Sequence, residues 1–368
     1  GSVRSRVFYG WRTKNPERKE PSMVLIGCDF HPSWQQVSWV DTETGETEEK
    51  KLVHGSGEVE RFYRELPAPA LIGMESTGNC QWFVDMLAAR GHEVWIGDAA
   101  RIRASAVRQQ KTDKRDAALL LQLLMDGRFP RLWTPSSQQR DLRQLLIHRH
   151  KLVGIRSRVK NELQHLALNQ GVQKKRRLWS EAGQKLLREL PLRPWASRRR
   201  EDLLKVMAML DQQIQPLDLA VKEAAEQHPQ ARLLLSQPGV GPVTALAFVL
   251  TLGDVSRFPR GKQVASYLGL IPREYSSGGH QRLGSISKQG NRFLRMLLVE
   301  AAQSAVRYDP QFRSEYLHRC QGKPRGVAKV AAARKLAIRL YWMLRTQKRY
   351  PEIVRIESSS RVALVSAS

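Results

Sequence analysis

The sequence predicts an α/β domain built on a mixed sheet, followed by a mostly helical remainder. Three observations predict it. Apolar runs of strand length alternate with helical periodicity through the first third, two long heptad-like stretches follow, and a Gly- and Pro-punctuated apolar segment opens the last third.

Residues 1–22 are Arg-rich and non-periodic, and begin Gly-Ser like the scar of a removed tag; they are read as a disordered extension, with Met23 starting the folded part. Val24 to Cys28 (VLIGC) reads as a strand, and Asp29 follows it directly in IGCDFH. A hairpin is expected from Gln36 to Val53 across a turn region from Asp41 to Glu49. Ala70 to Met74 (ALIGM) repeats the first design and ends in Glu75. A Ser-Thr-Gly-Asn turn comes next, then the helical pattern Trp82, Phe83, Met86, Leu87, with Gly91 placed for a helix C-terminus. Glu93 to Ile96 reads as a further strand. QKTDKRDAALLLQLLMDG reads as a helix whose first turn carries Asp113 and Asp116, three apart and so on one face. Antiparallel strands first, then alternating helices and strands, give a mixed-sheet domain over 23–135.

Pro130 and Pro135 mark the change to helix, and residues 136–230 are read as a helical spacer. Leu145, Leu152, Val159 and Leu166 recur every seven residues, while Leu142, Arg149, Arg156 and Leu163 form a companion rail interrupted by arginine. A second run, Leu203, Met207, Leu210, Ile214, Leu217 and Val221, is more regular, with Pro216 expected to kink or split it. The two runs fit an antiparallel pair or a dimerising coiled coil, and the sequence leaves both open. Between them lie Lys174, Lys175, Arg176 and Arg177 with Trp179, then Trp195 with Arg198, Arg199 and Arg200. Such cations among aromatics suit a phosphate backbone or unpaired bases, although a solvated connector has the same composition.

In the region read as 231–350, Leu233 to Gln237 leads through Pro-Gly-Val-Gly-Pro into an apolar helix, Val243 to Leu252, the arrangement of a helix-hairpin-helix element. Gly239 and Gly241 allow close backbone approach, and amides at the following helix N-terminus attract phosphate. A plain helix-to-helix turn reads the same way. Residues 267–295 are rich in glycine, in cations (Arg273, Arg282, Lys288, Arg292, Arg295) and in hydroxyls (Ser276, Ser277, Ser285, Ser287). Flexible backbone, positive charge and a nucleophile suit attack on a phosphate, but no spacing rule selects one serine. Residues 351–368 are read as a disordered tail.

Charge narrows the partner. Lys and Arg number 61 against 35 Asp and Glu, a net +26, which calls for a polyanion. No apolar stretch approaches the ~18 residues of a spanning helix and no signal peptide is visible, so nucleic acid is favoured over a membrane. Cys28, Cys80 and Cys320 are widely separated and lack the paired spacing of zinc or redox motifs, as in a protein of a reducing cytosol.

The acids at two strand ends and at one helix start carry the chemistry. Asp29, Glu75, Asp113 and Asp116 repel one another if they converge, unless a cation neutralises them. Hard oxygen ligands without Cys or His companions suit Mg²⁺ or Mn²⁺, the metals of phosphodiester cleavage. Singly, each acid is also an ordinary turn former or helix-dipole partner.

IGCDFH, GMESTGN and QKTDKRDA, followed by PGVGPVTA and the YLGLIPREYSSGG and GSISKQGNRFLR block, resemble the transposases of the insertion sequence 110 family, from Met23 to about Arg345. The resemblance implies an RuvC-like, RNase H-related domain with an Asp-Glu-Asp-Asp site, a coiled-coil spacer and a helical C-terminal transposase domain contributing a serine. It implies metal ligation by Asp29, Glu75, Asp113 and Asp116. The family's nucleophile sits in Tyr-x-Ser-Gly, which selects Ser277, one residue from Ser276. The implied activity is strand exchange on double-stranded DNA, at element ends and target, through a covalent serine-phosphate link. The implied partners are a structured bridge RNA that pairs with donor and target and a homo-oligomer of paired dimers with a site shared between subunits, in a bacterial, nucleoid-associated setting. Two other readings stay open: a junction-type endonuclease that uses water, and a non-catalytic nucleic-acid binder.

Overall fold

A computed structural model describes residues 24–66, 69–106, 112–173, 176–276, 280 and 282–354. The chain divides into two compact units, 1–134 and 135–368.

The first unit is built on a five-stranded sheet with the order β3-β2-β1-β4-β5. Its strands are β1 (Val24–Phe30), β2 (Trp34–Asp41), β3 (Thr47–Val53), β4 (Ala70–Glu75) and β5 (Glu93–Gly97). β2 runs antiparallel to both neighbours, whereas β1, β4 and β5 are mutually parallel, so the sheet is mixed as expected. The helices are α1 (Glu58–Glu65), α2 (Gln81–Ala89), α3 (Ala99–Ala104) and α4 (Asp113–Met125).

Helices cover both faces of the sheet, which is why VLIGC and ALIGM are continuous apolar runs rather than alternating ones. Ile26, Cys28 and Phe30 of β1 pack with Ile72 and Met74 of β4, Tyr63 of α1, and Phe83 and Leu87 of α2. The opposite face packs Leu25 and Leu71 against Ile102 of α3, Leu120, Leu123 and Leu124 of α4, and Phe129. Gly27 and Gly73, paired in register, lie on this second face, as does Gly97 on β5. A Cβ on Gly73 would fall within 2.9 Å of Leu124 and Phe129, so these glycines let the second layer sit close on the sheet.

The hairpin forms with β2 starting at Trp34 and a tighter turn than expected. The Asp41 carboxylate accepts a hydrogen bond from the Glu43 amide (2.8 Å) and Gly45 adopts φ 71°, so the chain reverses within five residues, 42–46. Gly91, at φ 80°, follows α2 in the expected left-handed position.

The second unit contains α5 (Ser137–Asn169), α6 (Glu181–Glu189), α7 (Pro194–Gln227), α8 (Pro229–Leu234), α9 (Pro242–Leu252), α10 (Gly261–Tyr267), β6 (Pro272–Glu274), β7 (Leu283–Ile286), α11 (Arg292–Tyr308), α12 (Pro310–Gly322) and α13 (Arg325–Thr346). Ser136 starts α5 with a capping box to Gln139. The two long helices pack against each other within the chain, antiparallel, because Arg149 pairs with Asp218, Arg156 with Asp211 (2.8 Å) and Glu162 with Arg199 (2.9 Å). The arginines that interrupt the apolar rail therefore face acids of α7. Val159, Leu163 and Leu166 bury against Met207, Leu210 and Ile214.

Pro216 does not split α7, which runs unbroken from Pro194 to Gln227. Pro216 is exposed, and its neighbours in register, Ile214 and Val221, are buried on the other side, so packing carries the helix past the missing amide. The largest core of this unit surrounds the almost wholly buried α9 and includes α11 and α13. Among the described residues no helix is long and apolar enough to cross a membrane.

Candidate metal centre and nucleic-acid interface

Asp29 is two residues beyond Gly27 on β1, and Glu75 two beyond Gly73 on β4. Because strand side chains alternate, both acids lie on the face that α4 covers, at the C-terminal ends of adjacent parallel strands. α4 enters from Thr112, whose hydroxyl caps it by accepting from the Arg115 amide (3.4 Å), and its first turn carries Asp113 and Asp116.

The structure brings Asp29 and Asp113 together, with a third residue between them. His31 Nε2 lies 3.2 Å from Asp29 Oδ2 and 3.8 Å from Asp113 Oδ1, and one donor atom from each of the three falls within 4.8 Å of the others. A histidine thus lies beside two of the four expected carboxylates, a neighbour that the sequence reading did not include. The signal was present in Asp-Phe-His, because positions i and i+2 of an extended chain share a side. Glu75 and Asp116 stand outside this tight group. Glu75 Oε1 is 3.5 Å from the Arg103 guanidinium of α3, a helix fixed by its Asp98 cap. Asp116 is near enough for its charge to act on Asp29.

Asp29 is the most enclosed of the group, its side chain 19% exposed against 52% for Asp113. Burial raises its pKa, the charges of Asp116 and Asp113 add to that, and the His31 contact works against it. A carboxylate that is costly to ionise among other carboxylates is relieved by a cation. The donor set, carboxylate oxygens with one imidazole nitrogen, fits a six-coordinate divalent metal.

In the second unit, β6 and β7 form a short antiparallel ribbon. The Ser276 hydroxyl donates to the Glu274 carboxylate (2.7 Å) and accepts from the Arg282 amide (3.2 Å), so it is engaged inside the ribbon. Ser277 lies outside the described residues. Arg273, Arg282, Lys288 and Arg292 are all exposed, and Arg292 opens α11. Arg273 also contacts the Ser287 carbonyl (3.5 Å), and Lys288 holds a left-handed φ of 57°.

α8, the turn and α9 follow the order expected for the Pro-Gly-Val-Gly-Pro segment. Gly239 (φ 84°) serves an internal approach: a Cβ there would lie 2.3 Å from the Ala305 amide nitrogen of α11. Gly241 is exposed and precedes α9 without a side-chain cap. Lys174 and Lys175 lie outside the described residues, as does the side chain of Arg176, and Arg177 is exposed. Arg198 pairs with Asp202 (2.9 Å), Arg199 with Glu162, and Arg200 with the Leu190 carbonyl (3.0 Å), while Trp195 beside them is 86% exposed.

Comparison with known proteins gives the class first. Residues 26–170 match a family model for DEDD transposases of the IS110 kind, which places an RNase H-like fold on the five-stranded unit and goes with divalent-metal dependence. Residues 231–317 match the model described as the transposase IS116/IS110/IS902 family. A probable family 20 transposase of Pseudomonas aeruginosa is 30% identical over 333 residues, covering 88% of this chain and 97% of the relative. The transposase for insertion sequence element IS1328 of Yersinia enterocolitica is 27% identical over 337 residues, 89% and 98% of the two chains. A putative transposase of Sinorhizobium fredii is 26% identical over 358 residues, 94% and 91%. The chain belongs to the IS110 family of insertion-sequence transposases, enzymes that cleave and rejoin DNA.

Proposed function

We propose that Asp29, Glu75, Asp113 and Asp116 together hold Mg²⁺ or Mn²⁺ and that Ser277 is the nucleophile of a strand-exchange reaction on double-stranded DNA. The observation that carries the metal site is the convergence of Asp29 with Asp113, acids from different elements, on a sheet end where burial makes Asp29 costly to ionise. When bound, the cation supplies charge stabilisation at the scissile phosphate and lowers the pKa of an attacking hydroxyl. Asp29 and Glu75 fix the position of that charge from rigid strands, and α4 adds its acids from a capped helix end.

Ser277 Oγ attacks phosphorus. The bond to one deoxyribose oxygen breaks, the serine gives its proton to solvent, and the departing oxygen takes one proton from solvent to leave as a hydroxyl. A second DNA hydroxyl reverses the step and frees the serine, so no phosphodiester energy is lost to water. Ser277 is supported by its Tyr-x-Ser-Gly setting and by the engagement of the neighbouring Ser276 within the ribbon.

Arg273, Arg282, Lys288, Arg292, Lys174, Lys175, Arg176 and Arg177 contact nucleic-acid backbone, and the turn at Gly239 and Gly241 acts as a helix-hairpin-helix element. A structured bridge RNA supplies sequence choice by pairing, and the helical spacer acts as a coiled coil in an assembly of dimers paired into a tetramer. The net charge of +26 and the exposed basic ribbon support a polyanion-binding surface of this extent.

The test is trapping of covalent protein-DNA adducts on element-end DNA with the RNA that copurifies. Ser277→Ala should form none and Ser276→Ala should form them still, while Asp29→Asn should abolish cleavage with binding largely retained. Free ends without any serine adduct would instead favour hydrolysis by water.

A further inference from the structure

We infer that His31 is a direct ligand of the divalent cation, through Nε2, making the centre a mixed nitrogen and oxygen site; this rests on the metal-site reading above. His31 follows the last residue of β1 and is held by its own packing. Its ring stacks on Trp34 (centroids 4.1 Å apart, 26° between planes), and Lys51 Nζ sits 4.1 Å from the centroid of the Trp34 ring. The His31 amide also donates to the Trp34 carbonyl (2.9 Å). These contacts set the plane of the imidazole and aim Nε2 between two carboxylates that come from β1 and α4.

The distances match coordination. Two donors at neighbouring corners of an octahedron with bonds near 2.1 Å lie about 3 Å apart. The observed 3.2 Å and 3.8 Å from Nε2 need only a small closure to reach that. A histidine placed merely to steady Asp29 would account for the first distance and not for the second, which reaches another element. The consequence is selectivity. Imidazole suits Mn²⁺ better than Mg²⁺, which prefers oxygen and water, so this centre ranks Mn²⁺ above Mg²⁺ more steeply than four carboxylates would.

The test uses the full-length protein without nucleic acid and Mn²⁺ alone as the probe. Pulsed electron paramagnetic resonance should show a directly bound ¹⁴N in the wild-type protein, absent in His31→Gln. Titration should show Mn²⁺ affinity falling at least about tenfold in His31→Gln, with Mg²⁺, read by competition, falling less. If Mn²⁺ binds, is weakened by Asp29→Asn, and yet shows no nitrogen coupling and no change in His31→Gln, the inference is overturned and the carboxylate site stands. If Mn²⁺ binding is the same in wild type and Asp29→Asn, the metal-site reading fails and takes the inference with it. The wild-type spectrum decides the question even where a His31 variant folds poorly.

Discussion

The backbone carbonyl of Ala117 on α4 occupies the place where a Cβ on Gly27 of β1 would go: the two would be 2.1 Å apart. The Leu121 amide nitrogen is 2.4 Å from the same point. No side-chain rotation relieves a clash with backbone, so the absence of one methyl group sets how closely the helix carrying Asp113 and Asp116 rests on the strand carrying Asp29.

Gly27→Ala should therefore lift α4 from the sheet and open the acid cluster. Overpacking of this kind costs about 1–3 kcal/mol, read as a lower urea midpoint. The stabilisation that Mn²⁺ or Mg²⁺ gives to thermal unfolding should be lost as well. Gly154→Ala, in the middle of α5 with nothing within 4 Å of its added Cβ, is the contrast and should be neutral or stabilising by up to about 1 kcal/mol.

Asp29 makes the stability of the metal-free protein pH-dependent. Its folded pKa is raised by burial and by Asp116 and Asp113, so the folded form holds this proton more tightly than the unfolded chain. The carboxyl thus supports folding below the ordinary carboxylate range and ceases to do so as pH rises through its raised folded pKa. Without divalent metal, Asp29→Asn should melt above wild type at pH 7, and the difference should shrink as pH falls through that range. Saturating Mn²⁺ should raise the wild-type melting temperature much more than that of the variant.

Arg339 and Asp309 form an ion pair with both side chains 1% exposed, at 3.1 Å, and the Asp309 carboxylate also caps α12 by accepting from the Phe312 amide (3.0 Å). Removing one partner leaves a buried charge, so Arg339→Met should cost about 3–5 kcal/mol in urea unfolding. Adding Asp309→Asn, which keeps an oxygen for the cap, should recover a large part of that loss. A double variant as unstable as the single one would show that packing of Arg339, over the Phe312 ring at 5.4 Å, matters more than its charge.

The exposed cations of the ribbon and of the α11 entry should be felt in salt dependence. Replacing Arg282, Lys288 and Arg292 by glutamine should weaken binding to DNA of any sequence. The slope of log affinity against log salt should fall by roughly one for each phosphate left without its cation. The same substitutions should leave the melting temperature of the free protein nearly unchanged, because Arg282 supports the ribbon through its backbone rather than its side chain.

The architecture was legible where hydropathy determines it. Apolar runs ending in Asp29 and Glu75 became parallel neighbours because both faces of the sheet are covered, and the two heptad-like runs became α5 and α7. What depended on register was hidden. The arginines in the α5 rail make sense only once antiparallel packing sets Arg149 and Arg156 against Asp218 and Asp211. The role of Gly27 and Gly73 was not legible within their strands, since the groups that press on them, the α4 backbone at Ala117 and Leu121 and the side chains of Leu124 and Phe129, come from segments distant in sequence. His31 was legible only in part. Alternation along the chain places its side chain with that of Asp29, but only the folded chain brings Asp113 to its other side.

The glycine layer beneath α4 and the carboxylates beyond it answer to different pressures. Asp29 burdens the metal-free fold, whereas Gly27 supports it by letting α4 rest on the sheet. A descendant retained only for gripping nucleic acid would shed its acids readily and keep its glycines, so a degenerate copy of this element would be recognised by an intact sheet with an emptied rim.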